Sequence, residues 1–164
     1  MAVNELEDLY REVILDHYRA PRNRGDLPVP PAHRVEAFNP LCGDEIILYL
    51  DVENRRLADI RVGGQGCSIS QSSASMMSEA VKGKSVDDIL ALEHAFKSMM
   101  SIHEAGLDGT DGEEAQPVDP ESLGELAALQ GVVKFPVRIK CATLAWNALE
   151  QGLAEVAAGM SDNA

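Results

Sequence analysis

Residues 33–66 read HRVEAFNPLCGDEIILYLDVENRRLADIRVGGQG, and this stretch decides the fold. Within it RVEAF, EIILYLDVE and LADIRVGG are short, β-branched and alternating in parts, which is the pattern of half-buried strands. ENRR between the second and third is a tight turn, so the three strands form an antiparallel meander. Helical patterns lie on both sides. Val3, Leu6, Leu9, Tyr10, Val13, Ile14 and His17 recur at helical spacing, predicting an amphipathic helix from about Asn4 to Arg19. APRNRGDLPVPP then breaks it.

After GGQGC the character is helical again, with Ile69, Met76, Met77 and Ala80 on one face until KGK. Ser85-Val86-Asp87-Asp88 has the form of a capping box and opens a helix to about His103. GLDGTDGEEAQPVDPES reads as an acidic, Gly- and Pro-rich loop, followed by a short helix within LGELAALQGV. Pro136 suits the first turn of a last helix whose face is Val137, Cys141, Leu144, Ala145, Ala148 and Gly152. The expected fold class is α+β: a small three-stranded antiparallel sheet, with the N-terminal and C-terminal helices packed on one face. A chain of 164 residues, 45% hydrophobic, suits one domain over residues 1–164, with an inserted acidic segment within about 106–130.

With 27 acids against 14 bases the formal charge is −13, which repels phosphate backbones and gives nucleic-acid binding no support. It suits solubility, or a basic patch on a protein partner. The N-terminus is acidic and amphipathic, unlike a signal peptide, and no run has the length of a membrane span; the expectation is a cytoplasmic protein.

The three cysteines, Cys42, Cys67 and Cys141, cannot all pair with one another within the chain. Each taken alone can be a small buried hydrophobe. Each also sits at a boundary between elements, where a metal site can be assembled. Cys42 and Asp44 flank Gly43; if the second strand starts at Cys42, both side chains project to one face. Cys67 closes the third strand and opens a helix, at the positive end of the helix dipole. Cys141 lies about one turn into the last helix, after Arg138 and Lys140. Three thiolates and a carboxylate would make a tetrahedral site suited to Zn²⁺, and the oxygen ligand hints at exchange rather than a purely structural ion. Other motifs are weaker. GGQGCS lacks the Lys-Ser/Thr of a phosphate-binding loop. None of the four histidines has a catalytic context, and His17 falls where a packed side chain belongs. The Met76-Met77 and Met99-Met100 pairs read as core filler.

LYREVILDHYRAPRNRG, NPLCGDEI, GQGCSISQSSASMMSE and FPVRIKCATLAWNAL, in this order, resemble the U-type family of iron–sulfur cluster assembly proteins over almost the whole chain. Scaffolds of the IscU type carry a histidine before the third cysteine. Here Lys140 stands there, and the inserted segment is that of the SufU branch. The resemblance implies a zinc-dependent sulfurtransferase that partners and activates a SufS-type cysteine desulfurase. Its zinc ligands match Cys42, Asp44, Cys67 and Cys141. The implied mechanism is a ligand exchange that frees Cys42 to take sulfur from the desulfurase persulfide, for a downstream scaffold or other acceptor. Arg138 matches a family arginine that helps engage the partner. The alternative it implies is an IscU-type scaffold holding a [2Fe–2S] cluster on the same residues.

Overall fold

Three strands, β1 (His33–Asn39), β2 (Asp44–Glu53) and β3 (Arg56–Gln65), form one antiparallel sheet in the order β1-β2-β3. The computed structural model describes residues 2–29, 31–40, 43–108, 124, 126–129 and 136–158. The helices among them are α1 (Ala2–Arg19), α2 (Ser68–Val81), α3 (Val86–Asp108) and α4 (Pro136–Ala157), with a short 3₁₀ turn at residues 126–129. The expected α+β class and the meander are both present.

The sheet has one buried face because its side chains alternate. On β2, Asp44, Ile46, Leu48 and Leu50 point inward and are fully buried or nearly so. Val35 of β1 and Leu57, Ile60 and Val62 of β3 join them. On this face α4 packs against β1 and β2, and α2 packs mainly against β3. Helix α1 lies on α2, and α3 lies on α4, where the Phe96 and Trp146 rings stack with centroids 4.7 Å apart. The paired methionines are buried core, as expected. Among the described residues no helix is long and apolar enough to cross a membrane.

Local chemistry explains the boundaries. Asn54 and Arg55 both have positive φ, 53° and 60°, between the paired Glu53 and Arg56. That is the two-residue turn whose twist suits a hairpin. Ser85 caps α3 by accepting the Asp88 N–H at 3.1 Å. His17 is fully buried, with Nδ1 2.7 Å from Ser75 Oγ, so it is the packed histidine expected from its helix face.

Three expectations shift. β2 begins at Asp44, not Cys42, because Gly43 has φ 72° and donates its N–H to Asn39 O at 2.8 Å. That left-handed turn closes the β1–β2 connection, and a strand cannot run through it. Cys67 does not close β3, which ends at Gln65; it is the N-cap residue of α2. Helix α3 continues to Asp108, past His103. Leu41, Cys42 and most of the inserted segment within about 106–130 lie outside the described residues.

Candidate metal centre

Three elements meet at the end of the sheet where β2 begins and β3 ends. Asp44 enters from the first position of β2 and is fully buried. Its Oδ1 accepts the Cys67 backbone N–H at 2.9 Å. Cys67 caps α2 in an extended conformation without a side-chain cap of its own. The carboxylate therefore sits at the positive end of α2 and satisfies one of its free N–H groups across 23 residues of sequence. Asp44 Oδ2 is turned to the thiol, with Cys67 Sγ at 3.7 Å.

Cys141 enters from α4 and is also fully buried. Its depth follows from how α4 docks on α2. Ser73, buried in α2, donates its hydroxyl to the Ala142 carbonyl at 2.6 Å, one residue beyond the cysteine. The bond joins the helix that carries Cys67 to the helix that carries Cys141.

As a result one ligand atom each of Asp44, Cys67 and Cys141 lie within 4.8 Å of one another, a spread that a single small ion can draw together. Two sulfurs and one oxygen suit a borderline-soft divalent ion better than a hard one. The Asp44 and Cys141 side chains are shut off from solvent, and Cys67 is partly open. The Arg138 guanidinium, exposed near the start of α4, lies beside both thiols. The negative potential of Cys67, and then of Cys141, holds its pKa above the ordinary value. A cation thus stands beside the two sulfurs.

Of the residues singled out from the sequence, Asp44, Cys67, Cys141 and Arg138 come together here. Lys140 is exposed beside Cys141. Cys42 lies outside the described residues, next in sequence to Gly43 and two residues from Asp44. Ser73 was not singled out; within QSSAS its one signal is a polar residue on a helix whose neighbours are buried.

Comparison with known proteins identifies the family. The family profile of the NifU-like N terminal domain matches residues 9–142. The zinc-dependent sulfurtransferase SufU of Bacillus subtilis (strain 168) is 45% identical over 154 residues, covering 94% of this chain and 95% of its own. The iron–sulfur cluster assembly scaffold protein IscU of Streptococcus pyogenes serotype M1 is 42% identical over 153 residues, covering 93% and 87%. The crystal structure of a SUF-system protein of Fervidobacterium islandicum AW-1 superposes with a TM-score of 0.71 at 28% identity, over 87% of this chain and 94% of the other.

Proposed function

The chain belongs to the NifU-like N terminal domain family, and on that footing we propose that it serves iron–sulfur cluster assembly as a zinc-dependent sulfur acceptor. In this reading Cys42, Asp44, Cys67 and Cys141 hold Zn²⁺, and Cys42 receives sulfur from a SufS-type cysteine desulfurase. The observation that carries it is the convergence of the Asp44, Cys67 and Cys141 donor atoms within 4.8 Å, from three separate elements. Around a tetrahedral zinc, with Zn–S about 2.3 Å and Zn–O about 2.0–2.2 Å, donor atoms stand roughly 3.4–3.8 Å apart, so modest contraction suffices. The sulfur-rich donor set fits the ion, and so does the 45% identity to a zinc-dependent sulfurtransferase.

When bound, the ion keeps thiols deprotonated at neutral pH while tempering their nucleophilicity. The protein's own residues do the rest. Cys42 is the ligand we assign to transfer, because it matches the sulfur-accepting cysteine that the resemblance to the SufU branch implies. Its thiolate attacks the sulfane sulfur of the desulfurase persulfide. A new S–S bond forms at Cys42, the old one breaks, and the desulfurase cysteine leaves as a thiolate. Arg138 beside the thiols offers a cation to the incoming partner and its anionic sulfur. We read the whole chain as a single domain working in the cytoplasm, and its acceptor as a downstream scaffold or another sulfur-receiving protein.

The test combines elemental analysis of the purified protein with desulfurase turnover, for the natural chain and Cys42→Ala. The expected result is about one zinc per chain and turnover raised by the natural chain alone. Equal stimulation by Cys42→Ala would remove Cys42 from the role. A second reading, a scaffold for a [2Fe–2S] cluster, is favoured by the 42% identity to an IscU scaffold, since thiolates also suit iron. It predicts visible absorbance after reconstitution and cluster transfer to an apo-acceptor.

A further inference from the structure

Gly66 links β3 to α2, immediately before Cys67. A Cβ at this position would lie 2.5 Å from Asp44 Oδ1, 3.1 Å from Asp44 Cγ and 2.7 Å from Ser70 Oγ. No carbon is tolerated so close to an oxygen, so any side chain at residue 66 must displace its neighbours. Ser70 can yield at small cost, because its hydroxyl makes a 3.2 Å bond to the Cys67 carbonyl and can turn. Asp44 cannot. It is fully buried, its backbone is paired with Asn39, and its Oδ1 holds the Cys67 N–H at 2.9 Å. The space left by the missing side chain is the space the carboxylate occupies.

We propose that Gly66 is a positioning residue that admits the Asp44 carboxylate to the metal centre, so that the mixed sulfur and oxygen donor set depends on a residue that binds nothing itself. The inference rests on the metal-binding reading above. Its consequence is that Gly66→Ala removes the oxygen ligand while every ligand residue is still in the chain.

The experiment uses the full chain and Co²⁺ as probe, with affinity measured by chelator competition and the ligand set by the visible spectrum of bound cobalt. Gly66→Ala is expected to weaken Co²⁺ binding by about 10–100-fold, as loss of a supporting group around a metal ligand does. Asp44→Ala should weaken it comparably, and the double variant no further, because both remove the same interaction. Gly63→Ala, whose Cβ would meet Ile47 Cβ at an ordinary 3.7 Å, should bind as the natural chain does. Gly66→Ala/Ser70→Ala takes away the Ser70 conflict and should stay weak. Thermal melting of the metal-free proteins identifies any variant that does not fold, and the Ser70 double variant then stands in for Gly66→Ala. Natural affinity in Gly66→Ala, or its recovery in the Ser70 double variant, would overturn the proposal while the metal site stands. Natural Co²⁺ binding in Asp44→Ala, or none in the natural chain, would overturn the metal reading and this proposal with it.

Discussion

Glu93→Gln should stabilise the fold above neutral pH and make little difference in acid. Glu93 lies in α3 and is 5% exposed, and its Oε2 has no hydrogen-bond partner among the described residues. Burial pushes its pKa from 4.5 up to about 7; Lys97 opposes the shift and Glu150 adds to it. Lys97 is itself engaged by Glu150 at 2.9 Å, so it gives Glu93 only part of its charge. The folded state therefore binds this proton more tightly than the unfolded chain. Below the unfolded value both states are protonated and nothing is lost. As pH rises through the interval to about 7, stability falls, and above it the full cost of a buried charge remains. At about 1.4 kcal/mol for each pH unit between the two values, that cost reaches roughly 3 kcal/mol. Water reaching the ionised group will reduce it, leaving about 1–3 kcal/mol. The assay is urea denaturation of the natural chain and Glu93→Gln at several pH values. Taking the difference between them cancels the titration of every other group. The gap should open between about pH 4.5 and 7 in favour of Gln and stay constant above that. Parallel profiles across that range would refute the reasoning, and a gap that opened toward acid would reverse its sign.

Two further substitutions probe how α4, and with it Cys141, is seated. In Gly152→Ala the new Cβ would stand 2.6 Å from Leu50 Cδ1 and 3.1 Å from Val35 Cγ1, where α4 crosses the sheet. Overpacking of this kind costs about 1–3 kcal/mol, and the better helix propensity of alanine returns about 1 kcal/mol. A net loss near 1 kcal/mol should appear as a lower urea midpoint with an unchanged slope. Ser73→Ala deletes the buried bond to the Ala142 carbonyl and should cost about 1 kcal/mol by the same assay. It should also weaken Co²⁺ binding, because Cys67 and Cys141 then lose the bond that joins their helices.

Local pattern was enough to read the sheet and the order of the helices. EIILYLDVE alternates because one face of β2 meets α4 and α2, and Pro136 opens α4 as its missing N–H allows. The start of β2 was not legible in this way. It depends on the left-handed backbone at Gly43, and a glycine in sequence does not reveal which φ it adopts. The sequence reading ends α3 near His103, whereas the helix runs to Asp108, because IHEAGLD carries no proline that fixes where it stops. Within the candidate site the ligand types were visible, but not their support. The Asp44–Cys67 bond spans 23 residues and the Ser73–Ala142 bond 69, and neither partner in either pair implies the other by spacing. Gly66 was legible as one glycine among several. Only the carboxylate lying where its Cβ would be distinguishes it.

The most direct test of the central claim is peptide mass spectrometry of the protein after incubation with a SufS-type desulfurase and cysteine, under conditions that preserve persulfides. The account predicts one additional sulfur atom on the peptide containing Cys42, with the Cys67 and Cys141 peptides unchanged. Added sulfur on Cys67 or Cys141 instead, or on none of the three while the desulfurase itself is loaded, would contradict it.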